Sequence, residues 1–126
     1  MNSPAAKHIL VIDDDERIRR LVARMLTGAG FKVTAGADFS AAMRVIDGGE
    51  PVDLLLSDIG LPVGTPHGLS LGNAARVHHP GLKVLFMTGD QDPEKFALFA
   101  PGSTAVLAKP FTAEQLIATV NSLLAE

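Results

Sequence analysis

The sequence predicts an α/β fold in which helices cover both faces of a five-stranded parallel sheet, a doubly wound three-layer sandwich. Apolar runs alternate with segments of helical periodicity along the whole chain. Four runs are almost continuously apolar, as expected for strands that are buried on both faces: residues 9–12, 54–56, 84–87 and 105–107. With 126 residues, 47% of them apolar, the chain is long enough for one core, and we expect one domain over residues 1–126.

The second strand sets the strand order. Residues 31–35 alternate apolar and polar side chains, which suits an edge strand. Right-handed crossovers with this strand at the edge favour the order 2-1-3-4-5. Ligands of such sheets bind beyond the carboxyl ends of the strands, where the order reverses, here between the first and third strands.

Start and stop signals delimit five helices. Glycines end the first near residues 28–30, and Asp38 is expected to cap the second, over residues 41–47. Thr112 with Gln115 forms a capping box that begins the last helix. The third is predicted over residues 69–78, and a short fourth lies between two prolines at about residues 93–101.

Composition excludes several classes of protein. The net charge is −3 and the basic residues form no stripe, so we expect no nucleic-acid partner. The absence of cysteine excludes disulfide scaffolds and thiolate chemistry. The first seven residues lack the pattern of a signal peptide, and no apolar run approaches the ~20 residues of a membrane span. We therefore expect a cytoplasmic protein with no membrane partner.

Three aspartates close two of the apolar runs. Asp13 and Asp14 follow the first strand, and Asp58 follows the third. If these strands are neighbours, each carboxylate pair at about 4 Å repels by ~1 kcal/mol in water and ~4 kcal/mol in a partly buried site. Such a cluster needs a cation, and hard oxygen ligands suit Mg²⁺. A carboxylate beside that ion could form an aspartyl phosphate.

Two further polar residues end the next strands. Lys109 follows the fifth strand and Thr88 ends the fourth. Each has an ordinary explanation, as an edge-blunting lysine and as part of a turn, just as an isolated aspartate could simply cap a helix. Because all of them come to one edge of the sheet, they favour phosphoryl chemistry.

This set resembles the receiver domain of two-component response regulators, over about the whole chain. The matching motifs are Asp13-Asp14, Asp58, Thr88 and Lys109-Pro110-Phe111. The resemblance implies a flavodoxin-like sandwich. It also implies that Mg²⁺ is bound directly by Asp14, Asp58 and the main-chain carbonyl of Gly60, with Asp13 acting largely through water.

The resemblance also implies what the site does. Asp58 would accept a phosphoryl group from a phosphohistidine on a sensor histidine kinase or a histidine-phosphotransfer protein. Thr88 would hydrogen-bond the phosphoryl group, Lys109 would pair with it, and the Lys109–Pro110 bond would be cis. Phosphorylation would change the face formed by the predicted fourth helix, the fifth strand and the last helix.

A protein of this kind is a switch and not a turnover enzyme. Its downstream protein target is unknown. With no output domain in the sequence, we expect it to act by binding a partner or by passing the phosphoryl group on, unless the chain is a fragment of a hybrid kinase or a longer regulator. The motifs around Asp58 and Thr88 resemble those of receivers attached to hybrid kinases.

Two departures from the family leave an alternative open. Receivers often carry Tyr or Phe where this chain has Val106, and the loop at residues 63–67 is longer than usual and places His67 before Gly68. The alternative is a receiver-like interaction module that is never phosphorylated. A small-molecule phosphohydrolase is disfavoured because Gly60 stands where its acid/base carboxylate would be, and a flavin binder because Asp13 and Asp14 would repel its phosphate.

Overall fold

The computed structural model describes residues 6–59, 68–89 and 104–126. Five strands and four helices alternate for most of this length. The strands are β1 (His8–Ile12), β2 (Lys32–Gly36), β3 (Leu54–Asp58), β4 (Lys83–Thr88) and β5 (Thr104–Ala108). The helices are α1 (Glu16–Gly28), α2 (Phe39–Asp47), α3 (Gly68–His78) and α4 (Ala113–Leu124).

The sheet is parallel throughout, with the order β2-β1-β3-β4-β5. This confirms the predicted fold class and strand order. The register pairs Ile12 of β1 with Ser57 of β3, and Thr88 of β4 with Ala108 of β5. The residues that end these strands are therefore brought to one edge of the sheet.

Two apolar clusters lie on opposite faces of the sheet. The first joins one face to α2 and α3, and the second joins the other face to α1 and α4. Alternate residues of each central strand enter opposite clusters, so β1 is buried along its entire length. This explains why the central strands are continuously apolar.

The predicted helix caps are present. The side chain of Asp38 accepts a hydrogen bond from the amide of Ala41 at 2.9 Å, although α2 begins at Phe39, two residues earlier than predicted. Both hydrogen bonds of the Thr112 and Gln115 capping box are formed. After α1, Gly30 has a φ of 97°, a conformation that glycine adopts without strain.

Several predictions lie outside the described residues. These are the short helix at residues 93–101, the loop at 63–67 with His67, and the carbonyl of Gly60. Within the described part of the chain, no helix is long and apolar enough to cross a membrane.

Candidate functional site

Three carboxylates meet where β1 and β3 end. One oxygen from each of Asp13, Asp14 and Asp58 lies within 4.8 Å of the others. Asp13 is completely buried, Asp58 is 9% exposed and Asp14 is exposed. The prediction that these side chains converge, which came from the order of the strands, agrees with this geometry.

Each polar atom of Asp13 has a hydrogen-bond partner. Its amide donates to the carbonyl of Gly36 at 3.2 Å, and its carbonyl accepts from Nη1 of Arg19 at 2.8 Å. Its Oδ1 accepts from the amide of Asp15 at 2.9 Å and its Oδ2 from Nζ of Lys109 at 3.0 Å. Burial raises the pKa of Asp13 despite these two donors, and the charge of Asp58 raises it further.

Lys109 links two of the three carboxylates. Its Nζ lies 3.0 Å from Oδ2 of Asp13 and 3.3 Å from Oδ2 of Asp58. Burial on its own would lower the pKa of Lys109, but the two carboxylates outweigh it and raise that pKa above its ordinary value. The ammonium group therefore stays charged at the place where negative charge collects.

The peptide bond between Lys109 and Pro110 is cis, as the resemblance implied. The amide of Lys109 donates to the carbonyl of Thr88 at 2.6 Å. This hydrogen bond ties the end of β5 to the end of β4, where Thr88 is buried. Thr88 and Lys109 thus lie at the edge of the sheet that holds the carboxylates.

The donor set fits a hard divalent cation. Three carboxylates against one ammonium group leave an excess of negative charge, and Mg²⁺ prefers carboxylate oxygens and water. The exposure of Asp14 leaves room for the water ligands that Mg²⁺ usually keeps. The residues present therefore fit the predicted ion.

Comparison with known proteins settles the family. The family model described as "Response regulator receiver domain" matches residues 9–121. The chain belongs to the response regulator receiver family. Receivers of this family act in two-component signalling, which agrees with the fold and with the acidic site.

Relatives of two kinds match the chain. The response regulator receiver protein CpdR of Brucella abortus is 32% identical across an alignment of 126 positions, which covers 94% of this chain and 97% of CpdR. Protein PetR of Rhodobacter capsulatus is 34% identical over 124 residues, which are 98% of this chain but 51% of PetR. The chain thus spans about half the length of the first curated relative it matches.

A solved structure matches along almost the whole fold. The response regulator receiver protein from Sinorhizobium medicae superposes with a TM-score of 0.87 at 30% identity, covering 96% of each chain. The chemotaxis response regulator CheY4 of Vibrio cholerae superposes with a TM-score of 0.80 at 29% identity. The two-sided sandwich of this chain is therefore that of known receivers.

Val106 and His78 lie away from the three carboxylates. Val106, in place of the usual aromatic residue, is opposite Phe86 in the sheet and packs with it on the α2 and α3 side. Nδ1 of His78 lies 3.5 Å from Oδ1 of Asp47, and no metal-binding group among the described residues includes a histidine. His78 is exposed, whereas His79 is half-buried, with its Nε2 3.4 Å from the carbonyl of Ile46.

Sequence reasoning missed Arg19 and Gly36, which hold the main chain of Asp13. In the sequence Arg19 is one of four arginines on the first helix and looks like a surface charge. A usable signal was its position, one turn after Asp15, the residue that caps α1. Helical side chains lean toward the N-terminus of their helix, so this guanidinium can reach back to the preceding turn.

Proposed function

We propose that this receiver, over residues 1–126, takes a phosphoryl group onto Asp58 from a phosphohistidine of a sensor histidine kinase or histidine-phosphotransfer protein in the cytoplasm. The observation that carries the proposal is the position of Lys109, whose Nζ contacts Asp13 and Asp58 within the group of three carboxylates. A lysine between carboxylates neutralises part of their charge. It can also donate charge-assisted hydrogen bonds to a phosphoryl group that is added to one of them.

Asp14 and Asp58 would hold Mg²⁺ directly, Asp13 through water, and the carbonyl of Gly60 would complete the protein ligands. When bound, Mg²⁺ supplies positive charge that offsets the charge of the phosphoryl oxygens. The chain itself supplies the acceptor and its orientation. Asp58 ends a buried strand, so its carboxylate is fixed by the sheet and presents an oxygen at the edge.

The transfer exchanges one bond for another. An oxygen of Asp58 forms a bond to phosphorus as the phosphorus–nitrogen bond of phosphohistidine breaks, and the leaving imidazole keeps the electron pair. Lys109 would follow the negative charge from the free carboxylate to the phosphoryl oxygens, and the hydroxyl of Thr88 would donate to one of them. Water would later release the phosphoryl group, so the protein is modified and reset and turns over no separate substrate.

The acceptor is tested by labelling with acetyl phosphate and Mg²⁺, followed by intact mass spectrometry. We expect the wild type to gain one phosphoryl group and Asp58→Asn to gain none. Asp47→Asn is the matched control, because Asp47 is an exposed residue that ends α2 away from the site. Labelling of Asp58→Asn to the wild-type level would contradict the assignment of the acceptor.

An unlabelled wild type would instead favour the second candidate function, a constitutive interaction module. The observation that supports this candidate is Val106, which lacks the ring that receivers commonly move when they switch. In that case partner binding would be the same with and without a phosphodonor.

Lys109 is expected to couple phosphorylation of Asp58 to structural change elsewhere in the domain. Lys109→Ala should still be labelled to some extent, since the carboxylates remain, but amide NMR shifts away from the site should no longer change on phosphorylation. Lys83→Ala, at the opposite end of the sheet, is the control. Shift changes in Lys109→Ala equal to those of the wild type would show that Lys109 has no part in the switch.

A further inference from the structure

Arg19 contacts the metal site through the main chain and not through a carboxylate. Its Nη1 donates to the carbonyl of Asp13 at 2.8 Å, and its own amide donates to the carbonyl of Asp15. Asp13 has no exposed surface, so water cannot replace the guanidinium at that carbonyl without a local rearrangement. The guanidinium of Arg19 thus supplies the hydrogen bond that water would otherwise donate to the buried carbonyl of Asp13.

The peptide group in question joins Asp13 to Asp14. Its carbonyl is fixed by Arg19, and the amide on the other side of Asp13 is fixed by Gly36. The plane of that peptide sets the direction of the bonds at Cα of Asp14. Arg19 therefore acts on a residue whose side chain it does not touch.

The main chain around Asp14 is also held by the amide of Asp15, which donates to Oδ1 of Asp13, but the side chain of Asp14 has no such partner among the described residues. It is exposed, and within the described residues its carboxylate accepts no hydrogen bond and forms no ion pair. Asp13 differs, because both of its carboxylate oxygens have donors. The direction of the Asp14 carboxylate thus depends on the main chain that carries it.

Gly36 shows how closely the main chain is constrained at this point. A Cβ on Gly36 would lie 2.8 Å from Cβ of Ala41, so the glycine allows α2 to approach the end of β2. This approach leaves the carbonyl of Gly36 in place to accept from Asp13. Arg19 on one side and Gly36 on the other hold Asp13 between them.

We propose that Arg19 is a positioning residue for Mg²⁺ binding: its guanidinium fixes the Asp13–Asp14 peptide so that the carboxylate of Asp14 faces the ion. The inference rests on the proposed function, because it presumes that Asp14 is a ligand. The expected change in Mg²⁺ affinity is opposite to the one that electrostatics alone would give. A positive charge near a cation site would on electrostatic grounds weaken Mg²⁺ binding, whereas a positioning role means that removing this charge weakens it.

The test measures Mg²⁺ affinity by titration of backbone amide NMR shifts. Arg19→Met removes the donors and keeps a long side chain, and Arg20→Met is its matched control. Arg20 is adjacent on α1, is exposed and pairs with Glu16. We expect the Mg²⁺ dissociation constant of Arg19→Met to rise about tenfold, the usual effect of losing a residue that orients a metal ligand. Arg20→Met should bind as the wild type does.

Two further measurements separate positioning from folding. The labelling rate of Arg19→Met with acetyl phosphate should recover at saturating Mg²⁺, because the defect lies in binding the ion. Arg19→Lys, which keeps the charge and one donor, should have an intermediate dissociation constant, and it carries the test if Arg19→Met does not fold. A purely structural role would lower the melting temperature and leave the dissociation constant of the folded protein unchanged.

The outcomes are distinguishable from those of the proposed function. If neither the wild type nor Arg20→Met bound Mg²⁺, the proposed function would fail and the inference with it. If both bound Mg²⁺ and Arg19→Met bound it equally or more tightly, the inference alone would be overturned.

Discussion

The two ends of the parallel sheet differ in how their buried polar groups are paired. At the amino end, His8 is buried, and its ring lies 2.7 Å from the carbonyl of Pro51 through Nδ1 and 2.8 Å from the hydroxyl of Thr34 through Nε2. Its amide donates to Oδ2 of Asp53 at 2.8 Å. At the carboxyl end, three carboxylates lie together, and Lys109 contacts two of them, Asp13 and Asp58.

The difference separates stability from function. The carbonyl of Pro51 can only accept, so Nδ1 of His8 donates to it, and the hydroxyl of Thr34 pairs with Nε2. Both ring nitrogens of His8 therefore have a partner at this end of the sheet. The carboxyl end instead keeps like charges together, which costs stability in the absence of a cation and makes the site responsive to one.

The largest effect on stability is expected at the amino end. His8→Ala should lower the free energy of unfolding by about 2–4 kcal/mol, since it removes buried volume and leaves Thr34 and Pro51 without partners. Urea denaturation followed by circular dichroism measures this. His78→Ala, at an exposed histidine, should change it by less than about 0.5 kcal/mol. Equal effects of the two substitutions would remove the contrast between the two ends.

An effect of similar size is expected at the carboxyl end when Mg²⁺ is added. Binding to the folded state alone should raise the free energy of unfolding by about 2.7 kcal/mol when Mg²⁺ is at 100 times its dissociation constant. Asp14→Asn should lose most of this gain, and Asp47→Asn should keep it. Thermal unfolding with Mg²⁺ and with EDTA measures it, and an undiminished gain in Asp14→Asn would show that Asp14 is not a ligand.

A smaller effect should appear at Asp13 with EDTA present. The folded protein raises the pKa of Asp13, so the stability associated with this group is complete below its unfolded value of about 3.9 and is lost as the pH rises through the folded value. Asp13→Asn removes this loss. We expect it to be more stable than the wild type at pH 7, because an amide is less costly to bury than an ionised carboxylate and is not repelled by Asp58.

The pH dependence provides the control for that variant. The gain of Asp13→Asn over the wild type should vanish near pH 3, where the carboxyl group is protonated in both the folded and the unfolded state. Denaturant midpoints at several pH values measure it. A variant that is less stable than the wild type at pH 7 would mean that the Lys109 ion pair outweighs burial.

Much of the candidate site could be predicted because its residues end strands. Asp13, Asp14, Asp58, Thr88 and Lys109 each follow an apolar run, and parallel strands bring such positions to one edge. The roles of these residues in phosphoryl transfer stay predictions. Gly60, the remaining ligand of the predicted set, lies outside the described residues.

The contacts of Arg19 and His8 could not be predicted in the same way. The position of Arg19, one turn after Asp15, shows that its side chain can reach the preceding turn but not which atom it contacts there, and His8 looks like the polar start of an apolar run. Their partners become visible only when the turn after β1 and the neighbouring strand are in place.

The sequence by itself determined the elements, their order and the edge at which the acidic residues meet, because periodicity, caps and strand ends are written in residues close together along the chain. The tertiary structure decided which atoms touch. Lys109 reaches Asp13 across 96 positions and His8 reaches Thr34 across 26, and such contacts depend on sheet register and helix packing, which no local pattern encodes.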